Sequence, residues 1–344
     1  MDTLPQRASR AVAAGTTLAI TQSRYGSPDA LSLTRGPTPR LDPDQVLVRV
    51  HAASVNARDW HIMRGEPTLA RLLDRKSFSL RGPRDATRGT DVAGVVQAVG
   101  SDVTAWRPGD AVFGEGTGTF AEHAVASTDQ LATLPTGMTF EHAAALPLAG
   151  TTALLCVTAP NPAPGSHVLI NGASGGVGTL AVQLAKSMEV HVTAVVSPRN
   201  LRLAKTLGAD RVIDYTSSDF TDQGRQYDVV IDLVGNHRLR ALRRVVRAGG
   251  ALVLSGGGTS GSGRTVGPMR LLMGAAVAAR FLPFRVLTPE ARPTTAGLGR
   301  IAELVAAGDL RPVIDRTVPL MGTPAAIRYL ETEHARAKVV ITVR

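Results

Sequence analysis

The sequence predicts an α/β protein of two domains, one compact and β-rich, the other a doubly wound parallel sheet covered by helices. Three observations carry that expectation. Short β-type runs punctuated by Gly and Pro fill the chain from Thr17 to about Ala126. After Pro147 the texture changes to alternating strand and helix patterns, and from about Arg311 it returns to β texture. The expected division is a flexible tail over 1–14, a β-rich domain over 15–148 completed by 300–344, and an inserted strand-and-helix domain over 149–299.

In the first domain the strand patterns are Gln45 to Ala52, Asp91 to Val99, Asp110 to Phe113 and Phe120 to Ala126, rich in Val and Ala between turn residues. The second begins with a helical stretch near Thr151 to Ala159, then the strand His167 to Asn171, a glycine turn, and a helix from about Gly178 to Ser187. The strand Val190 to Val196, a helix Arg199 to Leu207 and the strand Arg211 to Ile213 follow, and Tyr227 to Leu233 and Ala251 to Ser255 supply two more strands. Val313 to Leu320 and Lys338 to Val343 are the closing β segments. The apolar stretch Val266 to Leu287, flanked by Arg270, Arg280 and Arg285, reads as a packing element in preference to a membrane-surface helix.

With 344 residues, 44% of them hydrophobic and 19% charged, the chain can bury two ordinary cores, which excludes a disordered or fibrous protein. A lone Cys156 cannot close an intramolecular disulfide or build a cysteine metal cluster, so a reducing cytoplasm fits. No apolar run approaches the roughly 20 residues that span a bilayer, so no stable membrane insertion is expected. Residues 1–14, with Arg7 and Arg10 among small residues, read as a tail in preference to a transit peptide. The formal charge of +10 raises a nucleic-acid reading, but only 4% of residues are aromatic and the positive side chains are scattered apart from Arg71, Arg75, Lys76, Arg81, Arg84 and Arg88. A solvated arginine-rich surface is the simpler expectation, and no nucleic acid is expected as partner.

Chemistry enters with the run from Gly165 to Gly178, followed by Gln183 and Lys186. An apolar strand passes directly into Ala173, Ser174, Gly175, Gly176, Val177 and Gly178 and then into a helix. Glycines are required there so that the backbone can turn tightly and approach a pyrophosphate held by free amides at the helix start. A dinucleotide site is the expectation.

The same residues closely resemble the quinone oxidoreductase signature of the medium-chain dehydrogenase/reductase superfamily, with Ser166 where that signature has an acidic or polar residue. The resemblance runs from about Leu18 to Val343 and includes Ala53 to Gly65, Gly89 to Val96, Arg107 to Phe113, Leu207 to Tyr215, Asp228 to Gly235 and His334 to Val340. It implies a GroES-like catalytic domain, a Rossmann domain, and a cleft between them for nicotinamide and a small-molecule substrate. Further cofactor contacts are implied at Thr151, Val234, Gly235, Ser255, Gly256 and Lys338.

The cofactor type is read at the end of the second Rossmann strand, where an acid would bind the adenosine ribose and repel a 2′-phosphate. Here Val195 to Asn200 contains no carboxylate, while Ser197 can donate to phosphate and Arg199 can pair with it. Tyr215 matches a residue that contacts this phosphate in similar reductases. NADPH is therefore expected.

Zinc-dependent members of the superfamily carry a Cys, a His-Glu pair and a later ligand, and the corresponding positions here are Asn56, Gly89 to Asp91, and Leu148 to Gly150. No metal is expected. Activation of the hydride acceptor then falls to hydrogen-bond donors. Asn56 matches a residue beside the nicotinamide, and His61 stands where many similar enzymes have tyrosine, giving a candidate proton donor. Trp60 reads as a pocket wall, and Arg58, Asp59 and Arg64 as ion-pair formers.

The expected function is hydride transfer from NADPH to a quinone or an activated C=C. Carbonyl reduction and non-catalytic NADPH binding are the alternatives. A homodimer is implied by the resemblance and by an apolar face at Leu252, Leu254, Leu271 and Leu272.

Overall fold

The protein is described by a computed structural model over residues 15–75, 78–80, 82–256, 269–333 and 335–343. The expected tail over 1–14, and Lys76, Arg81, Val266 and His334, lie outside the described residues.

Strands β1 (Thr16–Gln22), β2 (Leu31–Pro37) and β3 (Gln45–Val55) come first, then helices α1 (Ala57–Arg64) and α2 (Ala70–Leu73). Strands β4 (Asp91–Val99), β5 (Ala111–Glu115), β6 (His123–Ser127) and β7 (Leu131–Thr133) precede helices α3 (Phe140–Ala144) and α4 (Pro147–Thr158). Next are β8 (His167–Asn171), α5 (Gly176–Ser187), β9 (His191–Val196), α6 (Leu201–Thr206), β10 (Arg211–Asp214), β11 (Tyr227–Asp232), α7 (Leu239–Val245) and β12 (Val246–Leu254). The chain closes through α8 (Met269–Ala278), β13 (Arg285–Leu287), α9 (Thr295–Ala306), β14 (Ile314–Pro319), α10 (Thr323–Thr332) and β15 (Lys338–Thr342).

Six strands form a parallel sheet in the order β10-β9-β8-β11-β12-β13. The order reverses between β8 and β11, and ligands in such sheets bind outside the strand ends at that reversal. Near-continuous burial of β8, β9 and β11 is what a parallel strand covered on both faces requires. The other large sheet follows the path β14-β15-β3-β4-β5-β7, with β6 also on β3, and β1 and β2 form a separate hairpin. Strand β15 pairs antiparallel with β3, Val339 facing Val55, so the C-terminal segment joins the sheet built by the N-terminal one.

The space between the sheets is filled by one apolar cluster that includes Ala93 and Phe113 on one side and Val168, Ile170 and Ala194 on the other, with Ala144 and Ala149 between them. Helix α9 contributes Leu298 and Ile301. Each such fully buried aliphatic or aromatic side chain contributes about 1.5–3 kcal/mol from the area removed from water.

Two features of the fold go beyond the sequence reading. Between the two closing β segments lies helix α10, which the sequence reading did not single out: Pro324 stands in its first turn, and the buried Ala326, Ile327 and Tyr329 form a helical face against the sheet. The dimer face expected at Leu252, Leu254, Leu271 and Leu272 is occupied internally. Leu252 and Leu254 are buried, and Leu271 and Leu272 pack on the same cluster. The packing reading of the apolar stretch thus holds for those residues, Ala275 and Phe284, whereas Met273, Val277 and Phe281 are exposed. No helix among the described residues is long and apolar enough to cross a membrane.

Gly114 supplies a test of the close approach of β5 to β7, because a Cβ there would run into the Gln130 carbonyl oxygen and lie 3.0 Å from the Leu131 Cα. Gly114→Ala should destabilise the fold by about 1–3 kcal/mol, the cost of overpacking a filled site. A melting temperature equal to that of the unaltered chain would show that the strands can separate without cost.

Candidate active site

A cleft of about 420 Å³ opens at the sheet reversal and is lined by residues from both sheets. One wall is the glycine turn. Strand β8 ends at Asn171, and Gly172 takes a left-handed φ of 84° that favours glycine. Gly175 then caps α5, whose first turn holds Gly176 and Gly178. A Cβ on Gly178 would collide with the Gly172 carbonyl oxygen and lie 2.7 Å from Ala173. A side chain at that position would push helix from strand and close the approach to the free amides at the helix start.

The opposite wall carries a buried polar network. The Asp91 carboxylate, fully buried, accepts from Ser54 Oγ at 2.8 Å, Asn56 Nδ2 at 2.9 Å and the Leu148 amide at 3.2 Å. Lys338 Nζ lies 3.5 Å from the same carboxylate and donates to Asn56 Oδ1 at 2.5 Å and the Val55 carbonyl at 3.2 Å. Burial pushes the Lys338 ammonium below the usual lysine range, and the Asp91 and Asp59 charges oppose that shift. Asp59 accepts from the Asn56 backbone N–H at 2.7 Å, and burial raises its carboxyl to about 6.

Strand β15 joins the two walls. The Ala337 amide donates to the Ser174 carbonyl at 2.7 Å, Ala337 bridges Gly175, and the next residue sends its ammonium to Asn56. A Cβ on Gly176 would come within 2.7 Å of Lys338 Cδ, so this glycine makes room for the lysine stem under the turn.

Of the residues singled out from sequence, Asn56, Ser174, Gly175, Gly176, Val177, Gly178, Ser197, Tyr215, Val234, Ser255 and Lys338 share this lining. Thr151, Ala173, Gly235 and Gly256 are not among the lining residues. Thr151 is buried with a hydroxyl that has no partner among the described residues. The Gly235 amide, with that of Val234, is held by Asp232. A Cβ on Gly256 would meet Val234 and Gly235 backbone at 2.7–2.9 Å.

Three expectations shift. His61 does not line the cleft: its ring stacks on Trp60 at 3.7 Å and Nδ1 faces the Glu66 carbonyl at 2.9 Å, so Nδ1 carries the hydrogen. Trp60, by contrast, is a cleft wall as read from sequence. Arg199 is exposed and donates to the Glu333 carbonyl at 2.7 Å, outside the lining. The ion pair expected among Arg58, Asp59 and Arg64 does not form: Arg58 pairs with Glu115 and Arg64 with Glu331.

Sequence reading missed Asp91 as an organiser and Asn200. Asn200 is buried and lines the cleft, and its Nδ2 donates to Ser174 Oγ and Ser197 Oγ, both at 3.0 Å. Each hydroxyl oxygen accepts one bond from Asn200, which leaves its hydrogen available to an anion. The signal available was its position three residues after Ser197 in a strand-to-helix turn.

The family profile described as an alcohol dehydrogenase GroES-like domain matches residues 42–136, and one described as a zinc-binding dehydrogenase matches residues 207–341. The mouse protein named NAD(P)H oxidoreductase RTN4IP1, mitochondrial, is 33% identical over 353 residues, covering 93% of this chain and 87% of the relative. An Arabidopsis thaliana protein named NADPH-dependent alkenal/one oxidoreductase, chloroplastic, is 32% identical, covering 93% of this chain and 78% of that protein. The structure of the quinone oxidoreductase from Coxiella burnetii superposes with a TM-score of 0.82 at 31% identity, covering 96% of this chain and all of the other.

Behind the cleft, Cys156 is fully buried, and burial pushes its thiol up to about 11 despite a hydrogen bond to Ser255. At pH 8 about one thiol in a thousand is then ionised. The native protein should resist an aromatic disulfide reagent at pH 8 and react on unfolding. Rapid labelling of the folded chain would contradict this burial.

Proposed function

Because the chain belongs to the quinone oxidoreductase-like branch of the medium-chain dehydrogenase/reductase family, we propose that it is an NADPH-dependent oxidoreductase acting on a quinone or a C=C conjugated to a carbonyl. The observation that carries this reading is the placement of the glycine turn and the Asn56 amide on opposite walls of one cleft.

The residues fit the cofactor. Amides at the start of α5 suit the pyrophosphate, while Ser197, Tyr215 and the hydroxyls held by Asn200 suit a 2′-phosphate at the end of β9. Arg199 is close in sequence but engaged at Glu333, so phosphate recognition is assigned first to the hydroxyls. When bound, NADPH supplies the hydride. Trp60 walls the substrate end, and the Asn56 amide meets the acceptor oxygen as it becomes negative. The acceptor gains a hydride from NADPH and a proton from water, so NADP⁺ and the reduced acceptor leave in balance.

Zinc does not fit, despite the description of one matching family. At the positions of the zinc ligands stand an amide and a carboxylate already bonded to each other, the Leu148 backbone and, against both, the Lys338 ammonium. A dication there would face a buried cation and find too few free donors to hold it. A single buried thiol supports a reducing compartment such as the cytoplasm. The edge strand β13 and the exposed Met273, Val277 and Phe281 support a homodimer.

NADPH should bind at least about tenfold more tightly than NADH, a gap of about 1.4 kcal/mol. Asn200→Asp, which turns the two hydroxyl hydrogens inward and adds a negative charge, should erase most of that gap. Calorimetric titration of both cofactors checks this; equal affinities in the unaltered chain would remove the NADPH assignment. With NADPH, turnover should appear with quinones and enones, and turnover confined to aldehydes would overturn the substrate class. Sedimentation at micromolar concentration should give twice the 36.0 kDa chain mass, and a monomeric mass would remove the dimer.

A further inference from the structure

An asparagine amide has a donating and an accepting end, and turning it over exchanges them. At Asn56 the surroundings permit one orientation. Nδ2 meets the buried Asp91 carboxylate at 2.9 Å and Oδ1 meets the buried Lys338 ammonium at 2.5 Å. Reversed, the amide would set hydrogens against an ammonium and oxygen against a carboxylate, both out of water. Nδ2 carries two hydrogens. Asp91 takes one, and the other remains for a ligand in the cleft that Asn56 lines.

We propose that Lys338 is a positioning residue for the reaction: its buried ammonium, seated on Oδ1, keeps the Asn56 nitrogen turned toward the acceptor oxygen. This rests on the reading that Asn56 meets that oxygen. A cation on the carbonyl end also draws electron density from the amide, which makes the remaining N–H a stronger donor as negative charge builds. The lysine reaches this point because its stem passes beneath Gly176, where a side chain would obstruct it. A merely structural filler would not need a charge here, since apolar side chains of the same length fill buried sites at lower desolvation cost.

The test is a double-mutant cycle read by single-turnover NADPH oxidation with 2-cyclohexen-1-one and with 1,4-benzoquinone. Asn56→Ala should slow hydride transfer about a hundredfold. Because the Lys338 ammonium is spent on Val55, Asn56 and Asp91 and is not left for the cofactor contact the resemblance implied, Lys338→Met should slow hydride transfer by about tenfold or more while NADPH affinity changes less than about threefold, and it should add nothing in the Asn56→Ala background. Because Lys338→Met leaves Asp91 without its cation, the pair Asp91→Asn with Lys338→Met is measured as well; it removes both charges and should fold with a near-normal melting temperature yet remain slow. An unaltered rate in that folded pair, or additive losses in the cycle, would overturn the proposal for Lys338 alone. If Asn56→Ala leaves the rate unchanged, the role of Asn56 fails first and the positioning role falls with it.

Discussion

The arrangement depends on what happens at the start of β15. Two consecutive residues there face in different directions: the Ala337 backbone holds the glycine turn through Ser174 and Gly175, and the Lys338 side chain holds Asn56 and Asp91. Ala337 adopts a left-handed φ of 59°, unusual for alanine, which lets the chain serve both walls before entering the strand. One short segment thereby sets the distance between the turn suited to pyrophosphate and the amide suited to the reacting oxygen. Catalysis by positioning tolerates little error in that distance.

The same junction explains why charge is buried here. Asp91 has three hydrogen-bond donors besides the ammonium, so the pair is satisfied and not merely neutralised. Asp59 accepts from the Asn56 backbone N–H with one oxygen and has no partner among the described residues for the other, and burial raises its carboxyl. These groups stand in and behind the wall opposite the glycine turn, where Asn56 and Lys338 reach the cleft. Helices α3, α4 and α9 contribute to the apolar cluster that joins the two sheets.

What could be read from sequence divides along physical lines. The glycine turn was legible because its constraint is local: consecutive residues must bend, approach an anion and start a helix. Strands β8, β9 and β11 were legible for the same reason, as short apolar runs bounded by turns. The Asn56 network was not, since its members lie 35 and 282 residues apart and meet only through the pairing of β3 with β4 and β15. Arg199 and His61 have the right chemistry in the right neighbourhood, but neighbouring carbonyls at Glu333 and Glu66 decide where they point. Leu252 and Leu254 show the limit of reading surface from composition, because an alternating apolar pattern does not say whether its cover comes from another subunit or from the chain's own helices.

The most direct measurement is the fate of the transferred hydrogen. NADPH deuterated at both C4 positions is turned over with a simple enone, and the product is examined by NMR. Deuterium on the carbon β to the intact carbonyl is the result expected of conjugate reduction, in which hydride arrives three bonds from the oxygen that takes up the charge and meets the Asn56 amide. Deuterium on the carbinol carbon of an allylic alcohol would contradict it.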